Sequence, residues 1–153
     1  MSGKVNPIPV GYHSVTPYLV VKGAAAALDF YKQAFGAVEV LRMQEGGRVG
    51  HAEITIGDSR VMLADEHPEM KIFGPQSGAA PGVSIMLYVK DVDAVVKRAI
   101  TAGAKLDRPV ADQFYGDRMG SIIDPFGHRW HVGTHVEEVS PEELQKRMKE
   151  TGK

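Results

Sequence analysis

The chain has 153 residues, 43% hydrophobic and 24% charged, which is typical of a soluble globular protein and fits a single domain over residues 1–153. Its 18 basic and 19 acidic side chains leave a net charge of −1, so the sequence offers no electrostatic surface for nucleic acid or an anionic membrane. The absence of cysteine excludes disulfides and thiolate metal sites, and no apolar run is long enough for a membrane span or a signal peptide, so we expect a cytoplasmic protein.

The first part of the chain, about residues 12–66, predicts one strand, one helix and three further strands. The segment "VTPYLVV" is a short apolar strand, and "AAAALDFYKQAFG" carries a helical stripe of Leu28, Tyr31 and Phe35 that ends at Gly36. The segments "AVEVLRM", "GHAEITIG" and "SRVMLADE" are strand-like, and "EGG" and "GD" supply the turns between them. This order predicts a βαβββ module.

Residues 67–82 form the predicted linker to the next module. Their prolines and glycines make regular structure unfavourable, while Met70, Ile72 and Phe73 supply apolar side chains. Two interpretations stay open. The linker is either a surface loop held down by these apolar anchors, or a flap that covers a pocket or contacts a partner.

The second module, about residues 83–137, repeats the order of the first. "VSIMLYV" is a strand, and "DVDAVVKRAITAG" is a helix with Asp91 as its N-cap and Gly103 as its stop. "AKLDRPV", "DRMGSIID" and "HRWHVGTHV" supply three strands. The glycines that end the two helices, Gly36 and Gly103, are 67 residues apart. The sequence therefore predicts an α+β fold of two tandem βαβββ modules.

A C-terminal helix is predicted over about residues 140–150. Ser140 is its expected N-cap, and Glu143 stands where a capping box requires it. Leu144 and Met148 form its only apolar stripe. We therefore expect this helix to pack weakly or to pack against another chain.

Alternation along the strands separates an apolar face, assigned to the helix, from a face of mixed composition. The apolar face contains Leu19, Val21, Ala52, Ile54, Ile56, Val61, Leu63, Val83, Ile85, Leu87, Val89, Trp130 and Val132. The opposite face, here called the mixed face, contains Thr16, Tyr18, His51, Glu53, Met62, Ser84, Met86, Tyr88 and His131. Soft apolar side chains with a few polar groups suit a ligand pocket. The alternative is a partly wetted sheet that binds nothing.

The segment "DPFGHRWHVGTHV" places His128, His131 and His135 close together in sequence. Such a cluster can form a metal site, but on a strand His131 and His135 lie about 13 Å apart, too far to share one ion. We expect His128 to be exposed in a turn, His135 to lie at the surface and His131 to lie on the mixed face. There His131 can act as a hydrogen-bond partner or general base.

The preceding segment, "DQFYGDRMG", contributes Tyr115 and Arg118 as candidate ligand-binding residues. The guanidinium group of Arg118 is suited to bind a carboxylate or phosphate through two parallel hydrogen bonds. The alternative is a surface ion pair with an aspartate.

Over about residues 11–143 the sequence resembles the vicinal-oxygen-chelate superfamily of glyoxalases, bleomycin-resistance proteins and extradiol dioxygenases, with most similarity to its bacterial PhnB-like branch. The resemblance rests on "PYLVVKGAAAALDFYKQAFGA", "HAEITIGDSRVMLADE", "LYVKDVDAVVKRAITAGAK" and, above all, "FYGDRMGSIIDPFGHRWHVGTHVEEVSPEE". It implies a homodimer whose sheets curl around a cavity. In the catalytic members, a divalent metal chelates two adjacent substrate oxygens.

The resemblance carries the family's metal positions onto Thr16, Met62, Ser84 and His131. Only His131 is a good ligand there, since hydroxyls are weak neutral donors and a thioether favours soft ions. A catalytic site needs about three protein ligands, so we expect no standard metal. The PhnB-like branch commonly has a small residue in place of His131, which is a departure here. An alternative divalent-metal site would combine His51, Glu53 and His131.

The leading functional prediction is a homodimer that binds a small molecule without the usual metal, as the drug-sequestering members of the family do with toxic compounds or antibiotics. The candidate ligand-binding residues are Thr16, Tyr18, His51, Met62, Ser84, Met86, Tyr88, Tyr115, Arg118 and His131; the tyrosines and methionines suit flat, partly aromatic ligands. The rival prediction is a lyase, isomerase or dioxygenase that uses His131 and Glu53, either metal-free or with the alternative metal. A purely structural dimer is the third possibility.

Overall fold

The structure is a computed structural model that describes residues 3–76 and 80–152. The chain divides between residues 79 and 80 into two compact units. The first unit contains β1 (Tyr18–Val21), α1 (Ala24–Phe35), β2 (Val38–Glu45), β3 (Arg48–Ile56), β4 (Ser59–Asp65) and a single 3₁₀ turn (Pro68–Met70). Its sheet has the order β1-β4-β3-β2, in which β1 runs parallel to β4 and the other neighbours are antiparallel.

The second unit repeats this arrangement and adds a helix. It contains β5 (Ser84–Tyr88), α2 (Val92–Thr101), β6 (Lys105–Asp112), β7 (Asp117–Ile123), β8 (Arg129–His135) and α3 (Pro141–Glu150). Its sheet has the order β5-β8-β7-β6, with β5 parallel to β8. Among the described residues, no helix is both long enough and apolar enough to cross a membrane.

The registers of the two sheets show that the units are structural repeats. Tyr18 pairs with Met62 in the first sheet, and Met86 pairs with His131 in the second. Met62 and His131 therefore occupy equivalent positions. The predicted α+β fold of two tandem βαβββ modules with a C-terminal helix is confirmed.

In the first unit, α1 buries the stripe that the sequence predicts. Leu28 and Tyr31 are completely buried, and Gly36 ends the helix in the left-handed conformation with φ 68°. The N-terminus of α1 begins after a glycine and has no cap from its own segment. Asp65, at the end of β4, takes that role: its Oδ1 accepts from the backbone N–H groups of Gly23 (2.9 Å) and Ala24 (2.8 Å).

In the second unit, Asp91 caps α2 as predicted, because its carboxylate accepts from the backbone N–H of Ala94 at 3.1 Å. Thr134 of β8 reinforces this end of the helix. Its hydroxyl accepts from the backbone N–H of Val92 (3.1 Å) and donates to the carbonyl of Val89 (2.8 Å). The apolar face of β8, with Trp130 and Val132 fully buried, completes the core.

The turn between β7 and β8 is organised by one buried carboxylate. Asp124 is 3% exposed; its Oδ1 accepts from the backbone N–H groups of Phe126 (2.9 Å) and His128 (3.0 Å), and its Oδ2 accepts from Nε1 of Trp130 (2.9 Å). The hydrogen bonds within the "DPFGHRW" segment therefore stabilise the turn and the fold.

Helix α3 begins as predicted, with the Ser140 hydroxyl accepting from the N–H of Glu143 at 3.2 Å. The Glu143 carboxylate accepts from Nε of Arg147 at 3.1 Å. Leu144 is half-buried and Met148 is exposed, so the helix packs weakly within its unit.

Four expectations are wrong at the level of single residues. Val83 lies before β5 and is 79% exposed, so it does not contribute to the apolar face. Thr16 precedes β1 by two residues instead of opening it. His128 is half-buried, and its backbone N–H binds the turn carboxylate. Of the three apolar anchors in the surface-loop interpretation of the linker, Met70 and Phe73 are 65% and 52% exposed and do not serve as anchors, whereas Ile72 is half-buried; residues 77–79 lie outside the described part of the chain.

Candidate functional site

The mixed face of the first sheet is a row of side chains that crosses all four strands. Tyr18 of β1 lies beside Met62 of β4, which lies beside Glu53 of β3, which lies beside Leu41 of β2. Tyr18 is 50% exposed and Leu41 is 41% exposed. The row therefore presents an aromatic ring, a thioether and an aliphatic side chain around one carboxylate.

A chain of hydrogen bonds connects the polar members of this face. The Tyr18 hydroxyl lies 2.7 Å from Nδ1 of His51, and Nε2 of His51 lies 2.7 Å from Oε2 of Glu53. The Tyr12 hydroxyl, from the segment before β1, donates to the other Glu53 oxygen. Four side chains are thus joined in the order Tyr18, His51, Glu53, Tyr12, which we call the phenol–imidazole chain.

The pKa shifts of three of these groups indicate which of them are ionised near neutral pH. The hydrogen bond from Tyr12, followed by that from His51, lowers the pKa of Glu53, so its carboxylate is ionised near neutral pH. Burial, followed by the hydrogen bond to Glu53, raises the pKa of Tyr12 to about 12. Burial, followed by the charge of Glu53, raises the pKa of Tyr18. Both phenols therefore stay protonated near neutral pH, and the ionised carboxylate of Glu53 accepts from the Tyr12 hydroxyl and from Nε2 of His51.

Tyr12 is itself held by a cation. The guanidinium carbon of Arg60 lies 5.4 Å from the centre of the Tyr12 ring. The backbone of Gly11 closes over the same group, since a Cβ added there would lie 2.8 Å from Nη2 of Arg60. The inner end of the phenol–imidazole chain is therefore packed in place.

An open groove of about 950 Å³ leads to this chain within the first unit. His51 and Met43 belong to its lining, together with Arg48 from the start of β3 and His67 from the loop after β4. Arg48 donates to the carboxylate of Glu69 at 2.6 Å. The groove has the size of a small-molecule site.

The mixed face of the second sheet is built around His131. Met86, His131 and Ser121 lie side by side on β5, β8 and β7. The hydroxyl of Ser121, which is completely buried, lies 2.6 Å from Nδ1 of His131. Burial, followed by the positive charges of Arg129 and Arg108, lowers the pKa of His131. Its imidazole is therefore neutral near neutral pH.

A second polar group on this sheet surrounds Asp117, which is 5% exposed. The Tyr88 hydroxyl donates to Oδ2 of Asp117 at 2.8 Å, and Nδ1 of His135 lies 2.8 Å from its Oδ1. The hydrogen bond to Asp117, followed by that to Glu138, raises the pKa of His135. His135 is exposed, as the sequence predicts.

The absence of a side chain at Gly133 leaves space for two methionine side chains of this face. A Cβ added at Gly133 would lie 2.7 Å from Cε of Met86 and 3.7 Å from Cγ of Met119. Tyr115 joins this patch, because its hydroxyl lies 3.4 Å from Sδ of Met119. Met86 and Tyr115 therefore belong to one apolar patch.

The remaining predicted site residues lie apart from these groups. Ser84 is exposed at the start of β5, and Thr16 is half-buried before β1. Arg118 forms the surface ion pair that was the alternative: its Nε and Nη2 donate to the carboxylate of Asp93 in α2 at 2.8 and 2.9 Å. Its Nη1 donates to Asp112 at 3.2 Å.

Two contributing residues were missed by the sequence analysis. Ser121 alternates with Asp117 along "DRMGSIID", so strand periodicity could have placed it on the mixed face. Tyr12 lies outside any strand, and no local pattern connects it with Glu53.

The donor atoms at the family's metal positions do not fit a divalent catalytic metal. Of Thr16, Met62, Ser84 and His131, only the last is a good ligand. Among residues 3–76 and 80–152, no group of three or more His, Asp or Glu side chains is arranged to hold an ion. Both ring nitrogens of His51 are engaged by Tyr18 and Glu53. The alternative site that combines His51, Glu53 and His131 draws on both units and stays a prediction.

Comparison with known proteins places these features in a family. The sequence matches the Glyoxalase/Bleomycin resistance protein/Dioxygenase superfamily over residues 11–132. It is 43% identical over 143 residues to the uncharacterized protein Mb0911c of Mycobacterium bovis, which covers 91% of this chain and 94% of that protein. It is 30% identical over 116 residues to the anthracycline biosynthesis protein DnrV of Streptomyces peucetius, covering 74% of this chain and 38% of that protein.

Among solved structures, TioX from Micromonospora sp. ML1 superposes with a TM-score of 0.64 at 25% identity, covering 81% of this chain and 99% of that chain. The repeated βαβββ units, the match over residues 11–132 and these relatives lead to one conclusion. The chain belongs to the glyoxalase/bleomycin resistance protein/dioxygenase superfamily.

Proposed function

We propose that this protein binds a flat, partly aromatic small molecule and sequesters it, without the metal that catalytic relatives use. The observation that carries the proposal is the composition of the first mixed face. Tyr18, Met62 and Leu41 provide aromatic and apolar surface, while the ionised carboxylate of Glu53 and the His51 ring are held in defined orientations. Apolar walls with a few fixed polar groups are typical of small-molecule sites.

Two further considerations support a planar ligand. Methionine and tyrosine side chains make favourable contacts with aromatic rings, and both types recur on the second mixed face as Met86 and Tyr88. The name of the relative DnrV connects that protein with anthracyclines, which are flat, hydroxylated aromatic compounds. Within the superfamily, we propose that the chain belongs to the PhnB-like branch, which its sequence segments most resemble.

The binding experiment uses protein treated with a chelator and titrated with 2-hydroxyanthraquinone, followed by absorbance. We expect saturable binding that weakens about fivefold in Met62→Ala, because sulfur–aromatic and apolar contacts of about 1 kcal/mol are lost. Met148→Ala, at an exposed position of α3, is the matched control and should bind as the wild type does. Equal affinity in both variants contradicts a site on the first mixed face.

Sequestration and catalysis differ in the fate of the ligand. Chromatography after prolonged incubation should recover the compound unchanged. Conversion of the compound, lost in Glu53→Gln or in His131→Ala, would instead support the lyase, isomerase or dioxygenase alternative. Stoichiometric manganese, iron, nickel or zinc in the purified protein that disappears in His131→Ala would contradict the metal-free proposal.

We also propose that the protein is a homodimer. Helix α3 supports this, because none of its described side chains is buried within the unit and Met148 is exposed. Light scattering should therefore give twice the chain mass of 16.6 kDa. A mass of one chain at micromolar concentration contradicts the dimer.

A further inference from the structure

We propose that the phenol–imidazole chain removes the proton from a hydroxyl group of the bound compound, so that the protein holds this compound as an anion. This inference rests on the proposed small-molecule site and specifies its ligand: a compound with a weakly acidic hydroxyl, such as a hydroxyquinone or phenol. The geometry that carries it is the line of three hydrogen bonds that starts at the half-exposed ring of Tyr18 and ends at the packed ring of Tyr12.

The outer end of the chain offers an acceptor to a ligand. When the His51 ring carries its hydrogen on Nε2, which faces the Glu53 carboxylate, the Tyr18 hydroxyl donates to Nδ1. The lone pairs of the Tyr18 oxygen then remain for a donor that approaches from the exposed side. A ligand hydroxyl is such a donor. His51 lines the open groove, and the exposed Tyr18 hydroxyl lies 2.7 Å from its ring, so a compound that extends from the groove across His51 can bring its hydroxyl to this end of the chain.

The proton then moves in two coupled transfers. The ligand O–H bond breaks as a new O–H bond forms on Tyr18, while the original O–H bond of Tyr18 breaks as an N–H bond forms on Nδ1 of His51. The ligand becomes an anion, Tyr18 ends neutral, and His51 becomes an imidazolium. No oxidant or further reactant is required, and the total charge is unchanged.

The inner end of the chain stabilises that imidazolium. Nε2 of His51 lies 2.7 Å from the Glu53 carboxylate, so the positive charge that the ring gains in the transfer lies next to a negative one. Tyr12 donates to the second oxygen of Glu53 and fixes its orientation. Glu53 thus acts on the ligand through His51 and is a positioning residue.

The charged and titratable neighbours are compatible with this transfer. Arg60 of β4 packs on Tyr12, at the far end from the ligand. Across the groove, Arg48 is paired with the carboxylate of Glu69, and Arg42 and Glu45 supply one charge of each sign to the lining. The β2 residue paired with His51 is the uncharged Met43.

The experiment measures the ionisation of a bound chromophore. 2-Hydroxyanthraquinone changes its absorbance when its hydroxyl ionises, so a pH titration with saturating protein gives the apparent pKa of the bound dye. We expect this pKa to lie at least one unit below that of the free dye, equivalent to a tenfold shift in the equilibrium. The methyl ether of the dye, which has no proton to lose, should bind at least tenfold more weakly.

Substitutions distinguish the relay from a general electrostatic effect. Tyr18→Phe removes only the bridging oxygen from an exposed side chain, and His51→Gln removes the base; each should return the pKa of the bound dye to its free value. His67→Gln, at a groove histidine outside the chain, is the matched control and should retain the shift. Thermal melting followed by circular dichroism verifies that the variants are folded.

Three outcomes overturn the inference. If the dye binds with the pKa it has in water, the relay is refuted while the proposed binding function stands. If Tyr18→Phe retains the shift, the proton does not pass through Tyr18. If neither the dye nor its methyl ether binds, the proposed function fails as well.

Discussion

Replacing Asp124 should destabilise the fold more than replacing an exposed carboxylate does. Asp124 lies in the segment that most resembles the family, and its role there is structural. Its buried carboxylate accepts three hydrogen bonds, from the N–H groups of Phe126 and His128 and from Nε1 of Trp130. A hydrogen bond to a charged acceptor contributes about 1.5 kcal/mol at the low end of its range. The low end applies here, because two of the donors are half-buried and can bind water when the carboxylate is removed. Asp124→Ala should therefore lower the free energy of unfolding by about 4.5 kcal/mol.

Urea denaturation measures this change, and the fluorescence of Trp130, the only tryptophan of the sequence, reports it. Asp124→Asn keeps the shape and one acceptor oxygen, so we expect a loss of about 1–2 kcal/mol. Asp58→Ala is the matched control, because that exposed carboxylate accepts from the adjacent hydroxyl of Ser59, and its cost should stay below about 0.5 kcal/mol. A cost below about 1 kcal/mol for Asp124→Ala would refute the structural role of the turn.

Three further predictions concern the helix cap, two histidines and one glycine. Asp65→Ala leaves the N-terminus of α1 without its acceptor and should cost about 3 kcal/mol by urea denaturation; a cost below about 1 kcal/mol would contradict the cap. Two hydrogen-bonded carboxylates raise the pKa of His135, so its stabilising contribution is complete below its ordinary pKa and is lost as the pH rises through its folded pKa. The pKa of His131 is lowered, so its contribution is present above the ordinary value and lost as the pH falls through its folded pKa. The unfolding free energies of the wild type, His131→Gln and His135→Gln are compared between about pH 5 and about pH 8.5. The difference between the wild type and His135→Gln should fall as the pH rises, whereas the difference for His131→Gln should rise. Equal slopes would refute both assignments. Gly116→Ala should cost at least about 2 kcal/mol, because φ is +98° and the added Cβ would lie 2.2 Å from a backbone carbonyl oxygen; Gly152→Ala, with φ +72° and open space, should cost about 1 kcal/mol.

The helices and most strands could be predicted from local patterns in the sequence, because the structure buries the residues that these patterns mark as apolar. The stripe that includes Leu28 and Tyr31 predicts which side of α1 is buried, and Gly36 predicts where that helix ends, because few other residues adopt its left-handed conformation without strain. Alternation predicts the buried face of β3 and β8 for the same reason: successive side chains must point to opposite sides. The duplication then predicts the second unit from the first.

Local patterns fail where the partner of a residue is distant in sequence. Tyr12 reaches Glu53 across 41 positions, and no periodicity encodes that contact. Arg118 shows the converse case: its side chain can bind a ligand anion, yet Asp93, 25 positions earlier, already holds it. Val83 is exposed for a related reason, namely that burial depends on distant parts of the chain. An apolar residue next to a strand is buried only when a helix covers it.

The candidate site was predictable in composition but only partly in geometry. Strand alternation brings His51, Glu53, Tyr18 and Met62 to one face, as the sequence predicts. The order of the hydrogen bonds along the phenol–imidazole chain depends on rotamers and on the register of β3 against β4, which a single sequence does not determine.

A titration of chelator-treated protein with 2-hydroxyanthraquinone, monitored through the NMR signals of ¹³C-labelled methionine methyl groups, tests the binding site most directly. The account predicts that the signals of Met62 and Met43 on the first mixed face shift and saturate with the ligand, while that of Met148 in α3 stays in place. Unchanged Met62 and Met43 signals at saturation, or shifts that require an added divalent metal, would contradict it.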